Sequence, residues 1–327
     1  MVQPQIDILL ATRNGKAFIA EQLDSLVSQT YPNIRIIVSD DGSTDATVDV
    51  VRQVAQRDPR IVLDCPHRRF GSARDNFFYL AGLSIAELVM FCDQDDVWDA
   101  DKVEATLEKM LQMEDGSGRP RLVFSDMKIV DRDLKEIAPS FLRSIGRPVG
   151  RYEFRHVLAQ SVGAGCTMMV NRSALSLAMR NCDRSRIIMH DWWLSLIAAA
   201  FGSIGYVDRG LVQYRQHGDN VLGAVRHSFF WSAVHVEQNI RSMERIIAQA
   251  GEFKAVFSDI LTPDQAREID SITRIVEMKP LARLFSLPCC RVWKSGLARK
   301  IGQAIALLMV RSDEVRSGSN LFQEKDR

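Results

Sequence analysis

The chain has 327 residues, of which 46% are hydrophobic and 25% are charged, and its formal net charge is +1. That length accommodates one large α/β domain with an appendage, or two ordinary domains. The balanced charge is typical of a soluble globular protein. It lacks the basic surplus that binding to nucleic acid would need, so we expect no nucleic-acid partner.

Strands and helices alternate through the first half of the chain. Apolar residues with helical spacing separate the strands, most clearly over residues 75–83 and 101–113. The predicted strands, each an almost uninterrupted apolar run, are residues 6–11, 34–39, 61–63, 88–92 and 122–125. Such strands joined by helices predict an α/β fold with a mostly parallel sheet and helices on both faces.

Three of these strands end in unusual polar clusters. The clusters are Thr-Arg-Asn at residues 12–14, Asp-Asp at 40–41 and Asp-Gln-Asp-Asp at 93–96. Each cluster alone would serve as an ordinary turn. Because ligands bind at the carboxyl ends of parallel strands, three clusters at one edge of the sheet predict a binding site there.

The third cluster places three carboxylates, Asp93, Asp95 and Asp96, within four residues. Capping of the next helix is a task that suits Asp99, but Asp93 and Asp95 lie too far back for it. The chain has neither GxGxxG nor GxxxxGK[ST], the glycine-rich loops that cradle phosphates. We therefore expect the acidic cluster to bind Mn²⁺ or Mg²⁺ together with the diphosphate of a nucleotide.

Five motifs together resemble those of the inverting family 2 glycosyltransferases with the GT-A fold. They are ATRNG at residues 11–15, SDDGSTD at 39–45, DQDDVW at 93–98, HDWW at 190–193 and YRQHGDN at 214–220. The last three are most similar to bacterial rhamnosyltransferase-type members that build surface polysaccharides. The resemblance covers roughly residues 6–223 and implies the Rossmann-like GT-A fold.

The resemblance implies a nucleotide pocket at the ends of the first two strands. Thr12 and Arg13 would line it, and Asp40 would accept a hydrogen bond from N3–H of uracil or thymine. Arg74, in the GSARDNF segment, would approach the base or the diphosphate.

The same resemblance implies the metal site. Asp93 would lie at the ribose and share the cation with Asp95, while Asp96 would either ligate the cation or orient its neighbour. His217 would complete the metal shell or contact the diphosphate. Arg215 would pair with a phosphate through its bidentate fork.

Inverting sugar transfer also needs a general base for the acceptor hydroxyl. His190 and Asp191 begin a predicted helix, and on the residues alone Asp191 is a good helix cap. With the resemblance, Asp191 is the expected base and His190 the weaker candidate. The preceding segment 162–170 reads as a glycine-hinged strand, either beside the acceptor or forming a tight bend.

Six cysteines show no zinc-site spacing, so we expect buried, reduced thiols in a cytoplasmic protein. The first residues lack the basic start and long apolar core of a signal peptide. No apolar run approaches the about 20 residues that span a bilayer.

From residue 229 the pattern is helical throughout. Residues 279–311 hold seven Lys or Arg and no Asp or Glu, interleaved with Trp, Phe and Leu. This pattern favours a helix on an anionic membrane surface, although packing on the catalytic domain with a basic edge is the alternative. We expect a catalytic domain at 1–225, a helical extension at 226–311 and a disordered polar tail at 312–327.

The expected activity is metal-dependent inverting transfer of a sugar to a saccharide acceptor, with a lipid-linked intermediate as the expected acceptor. By resemblance the donor is dTDP-rhamnose first and a UDP-sugar second. The enzyme would be cytoplasmic, at the inner face of the membrane. A sugar nucleotidyltransferase, or a nucleotide-binding module without chemistry, is the alternative.

Overall fold

The computed structural model describes residues 3–217 and 236–310. Its strands are β1 Ile6–Thr12, β2 Ile34–Asp40, β3 Ile61–Asp64, β4 Leu88–Cys92, β5 Val97–Trp98, β6 Arg121–Val130, β7 Glu136–Ala138, β8 Met168–Asn171 and β9 Ser203–Arg215. Its helices are α1 Ile19–Val27, α2 Thr47–Ala55, α3 Ala73–Leu83, α4 Lys102–Gln112, α5 Phe141–Ser144, α6 Phe154–Ala159, α7 Arg172–Ala178, α8 His190–Phe201, α9 Val236–Val256, α10 Pro263–Thr273, α11 Pro280–Ser286 and α12 Leu297–Met309.

The strands form one sheet in the order β3-β2-β1-β4-β8-β6-β9-β5, with β7 paired to β6. The first four run parallel to one another. β8 is antiparallel to both of its neighbours, β4 and β6, and β6 and β9 are parallel. The long pairings are therefore parallel, and the predicted mostly parallel α/β sheet is confirmed.

Successive side chains of a strand point to opposite faces, so the apolar strands build a core on each face. On β1, Ile8 and Leu10 belong to one core and Leu9 belongs to the other. Ile19 of α1 lies in the first core, and Trp193 of α8 lies in the second. Helices therefore cover both faces, as the sequence predicts.

Strand register brings the predicted polar clusters together. Thr12 at the end of β1 pairs with Asp40 at the end of β2. On the other side of β1, Leu10 pairs with Cys92, the residue that directly precedes the acidic cluster. The three clusters thus share one edge of the sheet.

The glycine-hinged strand predicted at 162–170 is only partly correct. A short 3₁₀ turn covers Gly165–Thr167, and the strand proper is β8, which starts at Met168. The chain forms a turn here that passes close to α8, and the absence of a Cβ at Gly165 leaves room for this approach.

The helical extension packs on the catalytic domain. Phe253 of α9 contacts Trp193 of α8 edge to face, with ring centroids 5.3 Å apart. Buried residues of α10 and α12, such as Ile269 and Leu307, belong to the same core. The predicted domain boundary at 225/226 and the predicted tail 312–327 lie outside the described residues.

The basic segment 279–311, described up to residue 310, packs on the rest of the chain and also exposes apolar side chains, and its predicted membrane contact stays a prediction. Arg283 is buried and donates to the carbonyls of Val276 and Val310, as in a packed helix. Leu281 and Phe285, however, are 79% and 81% exposed. Among the helices that the structure describes, none is long and apolar enough to cross a membrane.

Candidate active site

Gln94 ties the first motif to the acidic cluster. Its Oε1 accepts hydrogen bonds from Thr12 Oγ1 at 2.7 Å and from the Arg13 amide at 2.8 Å, and its Nε2 donates to the Arg13 carbonyl at 3.0 Å. A Cβ at Gly15 would lie 2.2 Å from Gln94 Oε1, so this approach requires glycine. Thr12 and Arg13 are thus fixed at the edge where the nucleotide is expected.

The Asp40 carboxylate is hydrogen-bonded within its own turn. It accepts hydrogen bonds from the amides of Gly42 and Ser43, at 3.0 and 2.8 Å, and from the Ser43 hydroxyl at 2.5 Å. Its predicted contact with the base would compete with these bonds. Asp41, which the sequence reasoning did not single out, is buried beside it and accepts from the amides of Phe70 and Gly71.

The acidic cluster is crowded and partly out of water. Burial, together with the negative charges of Asp95 and Asp191, raises the pKa of Asp93 to about 7. Asp96 is fully buried, and burial followed by its two acidic neighbours lifts its pKa well above the ordinary value. Such a group of carboxylates is stabilised when a cation joins it.

A divalent cation fits this cluster. Oδ2 of Asp96 is buried with no hydrogen-bond partner in the part of the chain that the structure describes. Potential ligand atoms of Asp93, Asp96 and Cys166 lie within 4.8 Å of one another. Mg²⁺ and Mn²⁺ prefer oxygen, and burial raises the pKa of the Cys166 thiol, so the two carboxylates are the better ligands.

His217 lies at the same cluster, as predicted for a group near the metal. Its Nε2 is 2.8 Å from Asp95 Oδ2, and its ring packs on Phe18 with centroids 4.8 Å apart. The structure therefore joins His217 to Asp95, whereas Asp93 groups with Asp96. The roles predicted for Asp93, Asp95 and His217 as ligands stay predictions.

Arg215 is engaged by several protein groups, and its predicted pairing with a phosphate stays a prediction. Its side chain is only 2% exposed. It donates to the Asp95 carbonyl at 2.9 Å and also to Glu21 and the Arg132 carbonyl, while its amide donates to Asp96 Oδ1. A guanidinium engaged in this way holds the acidic loop in place, and the predicted phosphate pairing would have to break these contacts.

Arg74 also has protein partners. Its Nε and Nη2 donate to Asp75, and its Nη1 donates to the carbonyl of Ile187 at 2.8 Å. The side chain thereby links α3 to the segment that leads into α8. The predicted contact with the base or diphosphate stays a prediction.

Asp191 is held at the start of α8 in a position that is not a helix cap, since the cap residue is Met189. Its Oδ2 accepts from the Gly165 amide at 2.9 Å, and its Oδ1 accepts from the Trp192 amide at 2.6 Å. Burial nevertheless raises its pKa to about 6. A carboxylate with this pKa is ionised at neutral pH and able to accept a proton.

His190 is a packing residue. Its ring lies 4.1 Å from the ring of Phe77 and 4.8 Å from that of Phe91 by centroids, and burial lowers its pKa to about 3. A Cβ at Gly165 would lie 2.7 Å from His190 Nε2. Gly165 thus lets the turn approach α8 closely enough for its amide to bond Asp191. His190 is a poor base because a pKa of about 3 means a low affinity for the proton.

A buried lysine below the acidic cluster escaped the sequence reasoning. Lys102 is fully buried on α4, and its Nζ lies 3.2 Å from the ring centroid of Trp98. Burial lowers its pKa to about 7, against the attraction of Cys166, Cys92 and Asp96. The sequence does not indicate that Lys102 is buried, because lysine in an amphipathic helix is ordinarily a surface residue.

Two chemical features therefore lie near each other. An acidic cluster suited to a cation lies at the ends of β1 and β4, and a carboxylate with a raised pKa lies at the start of α8. The two are close enough for the charge of Asp191 to affect Asp93. Such a site can hold a diphosphate by its cation and remove a proton from a nearby hydroxyl.

Sequence comparison identifies the class. The profile of the family described as glycosyl transferase family 2 matches residues 7–176, more than half of the chain. The chain belongs to this family and is a glycosyltransferase that uses a nucleotide sugar.

Two named glycosyltransferases are similar to this chain in sequence. The dTDP-rhamnosyl transferase RfbG of Shigella flexneri is 29% identical over 226 residues, which are 66% of this chain and 74% of that protein. An Escherichia coli UDP-Glc:alpha-D-GlcNAc-diphosphoundecaprenol beta-1,3-glucosyltransferase, WfaP, is 32% identical over 105 residues, 32% of this chain and 41% of that protein.

Solved structures share the fold. The mannosyltransferase PcManGT from Pyrobaculum calidifontis, in complex with GDP-Man and Mn²⁺, aligns with a TM-score of 0.55 and 16% identity over 99% of this chain and 89% of that one. TarS residues 1–349 from S. aureus, in complex with UDP, align with a TM-score of 0.52 and 13% identity over 96% and 92%. At these identities the likeness confirms the GT-A fold.

Proposed function

We propose that the protein is an inverting, metal-dependent glycosyltransferase that moves rhamnose from dTDP-rhamnose to a saccharide acceptor. The observation that carries the proposal is Asp191, held by the Gly165 amide near the acidic cluster with a pKa of about 6. A nucleotide-binding module without chemistry would not need this second carboxylate.

The chain's own residues divide the work. Asp93, Asp95 and Asp96 would hold Mn²⁺ or Mg²⁺, with His217 beside Asp95. The cation, when bound, offsets the negative charge of the diphosphate. The buried contacts of Arg215 keep the acidic loop in place.

Asp191 supplies the base. The acceptor hydroxyl oxygen forms a bond to the anomeric carbon as the bond from that carbon to the diphosphate oxygen breaks. The hydroxyl proton passes to the Asp191 carboxylate, and the nucleoside diphosphate leaves with the bonding electron pair. Attack from the face opposite the leaving group inverts the anomeric centre, and one carboxylate suffices because no covalent intermediate forms.

The similarity to the dTDP-rhamnosyl transferase supports dTDP-rhamnose as first donor, with UDP-sugars next. The similarity to a glucosyltransferase named for a diphosphoundecaprenol-linked substrate supports a lipid-linked acceptor. We also propose peripheral attachment to the inner face of the cell membrane. The exposed Leu281 and Phe285 within the acid-free segment 279–311 support it.

Thermal stabilisation by nucleoside diphosphates tests the donor proposal. We expect dTDP and UDP, each with Mn²⁺, to raise the stability by about 2.7 kcal/mol at a hundredfold excess over Kd, and by much less with EDTA. Products of incubation with dTDP-rhamnose and Mn²⁺ then separate the alternatives. A nucleotidyltransferase would instead make a nucleotide sugar and pyrophosphate from dTTP and a sugar phosphate, and that outcome would contradict the proposal.

A further inference from the structure

A cavity of about 330 Å³ lies between the catalytic domain and the C-terminal extension. Cationic side chains from both parts line it, together with the indole of Trp293: they are Arg151, Arg155, Arg291, Lys294 and Lys300. The described residues that line this cavity include no carboxylate. A lining of this kind attracts anions.

Two carboxylates lie near the cavity but do not neutralise its positive charge. Glu153 is 2.6 Å from His156, another lining residue, and pairs with it. Burial raises the pKa of Glu268, and the charges of Arg155 and Arg291 oppose this rise. Glu268 is therefore close enough to both arginines to interact with them. Five cations against two carboxylates leave the region strongly positive.

A series of cations connects the cavity with the catalytic carboxylate. Burial, with the nearby charge of Arg299, lowers the pKa of Arg147 to about 10, while the charge of Asp191 opposes this shift. Burial, with the charges of Arg299 and Arg147, also lowers the pKa of Lys294 to about 8. A hydrogen bond also relates the two places: Nε1 of Trp192, the residue after Asp191, donates to the Val157 carbonyl at 2.7 Å. Val157 lies on α6, the helix that carries Arg155 of the lining.

We propose that this cavity binds the phosphate or diphosphate group of an anionic acceptor, so that the saccharide attached to that group reaches Asp191. The inference rests on the proposed function, because it names the substrate class of that same site. Four of the five lining cations are exposed to solvent and can reach a ligand, and Lys294 is half-buried. Clustered cations repel one another, and a bound diphosphate would offset this repulsion.

The donor's diphosphate is not the ligand of this cavity. The donor site is built at the ends of β1, β2 and β4, whereas the cavity is built by residues around α6 and by the segment before and within α12. Trp293 is fixed by a 2.7 Å hydrogen bond from its Nε1 to the Cys290 carbonyl, which suits it to pack on a sugar ring. Leu297, one turn before Lys300, is 75% exposed at the same place, where an apolar chain would lie.

The test uses inorganic pyrophosphate as the probe, in EDTA, so that no cation supports binding at the donor site. Calorimetry should show one site per chain. The full-length variant Arg155→Gln/Arg291→Gln/Lys300→Gln should bind roughly tenfold or more weakly, because charged hydrogen-bond donors are lost. A matched variant, Arg241→Gln/Lys279→Gln/Arg267→Gln, removes three charges of the extension outside the cavity and should bind like the wild type.

Failure of wild type to bind pyrophosphate, or equal weakening in both triple variants, would overturn the proposal. If the first triple variant does not fold, Lys300→Gln alone must still weaken binding while Lys279→Gln does not. Nucleoside diphosphate binding with Mn²⁺ should be unchanged in every variant. If the wild type does not bind nucleoside diphosphate with Mn²⁺, that result would contradict the proposed function but would not contradict the anion site in the cavity.

Farnesyl diphosphate and farnesol identify the source of the anion. Tighter binding of farnesyl diphosphate than of pyrophosphate assigns the group to a lipid diphosphate, and equal binding assigns it to a phosphate without a lipid; both results keep the diphosphate site. Binding of farnesol as tightly as farnesyl diphosphate would overturn it, because the cations would then contribute nothing.

Discussion

The donor and acceptor sides of the proposed active site are built in different ways. On the donor side, short motifs at the ends of neighbouring strands bond to one another, as Gln94 does with Thr12 and Arg13. On the acceptor side, Asp191 depends on Gly165, 26 positions earlier, and on the nearby charge of Arg147, which in turn interacts with Arg299 of the C-terminal extension. The donor side is therefore local and the acceptor side is assembled from distant segments.

This difference matches the chemistry of the two substrates. Nucleotide diphosphates are alike across sugar donors, so a fixed edge of the sheet suffices for them. Acceptors vary, and the parts that meet them are helices and turns added to the sheet. The predictions below test whether damage on one side leaves the other intact.

Asp95→Ala should have the largest effect. It removes a carboxylate from the acidic cluster together with the partner of His217. We expect loss of Mn²⁺-dependent nucleotide binding and of transfer, measured by calorimetry and product formation. Asp133→Ala, at an exposed loop aspartate, is the control. Wild-type affinity for dTDP with Mn²⁺ in Asp95→Ala would show that the metal assignment is wrong.

Asp191→Asn should separate the two sides. We expect turnover to fall by roughly 10²–10⁴-fold, the usual contribution of a general base, with donor affinity unchanged. Asn keeps an oxygen for the Gly165 amide but its NH2 group cannot accept from the Trp192 amide, so stability should fall by about 1 kcal/mol. Weakened donor binding in this variant would mean that the two sides are not independent.

Gly165→Ala should lower turnover only by displacing Asp191, because it removes no catalytic group. Its Cβ would meet His190, whose ring is packed between Phe77 and Phe91 and has little room to move. We expect the turn to shift and turnover to fall about tenfold or more, since small misplacements of catalytic groups are costly. Nucleotide affinity should not change.

Gly82→Ala is the matched control for that substitution. Gly82 lies in α3, and its Cβ would lie 3.6 Å from Met179 at the end of α7, which is an ordinary contact. It should be neutral or stabilising by up to about 1 kcal/mol, because alanine favours a helix over glycine. Equal turnover in Gly165→Ala and wild type would remove the argument that Gly165 positions Asp191.

Gln94→Ala should have the smallest effect of the four. It deletes the hydrogen bonds that hold Thr12 and Arg13, at a cost of about 1–3 kcal/mol in stability. Donor affinity should fall modestly while the residual metal dependence persists. Gln112→Ala, at an exposed position on α4, should leave both unchanged. Unaltered melting temperature and donor affinity in Gln94→Ala would contradict the role assigned to this side chain.

The sequence predicts the donor side well because its signals are local. Periodicity located the apolar strands that form β1, β2 and β4, and turn residues marked where they end. Parallel pairing then places those ends together. The burial of Arg215 beneath the acidic loop was not readable, since a bidentate arginine in a polar loop looks the same whether it meets a phosphate or a carbonyl.

The acceptor side was harder to predict because it depends on tertiary packing. The role of Gly165 follows from how closely the 3₁₀ turn approaches His190, a distance that no spacing in the sequence encodes. The link from Arg147 to Arg299 spans the catalytic domain and the extension. Charge counts marked the extension as basic, but they did not show that part of this charge lines a cavity.

The pH dependence of single-turnover transfer tests the central claim most directly. Transfer is measured at saturating dTDP-rhamnose, Mn²⁺ and acceptor for wild type and Asp191→Asn, with donor affinity followed in parallel. The Asp191 pKa of about 6 lies above that of an ordinary aspartate, so the base is protonated and lost as the pH falls through about 6. The account predicts an acidic limb near that pH in the wild type and its absence in the residual activity of the variant. The same acidic limb in both proteins, or wild-type turnover in Asp191→Asn, would contradict it.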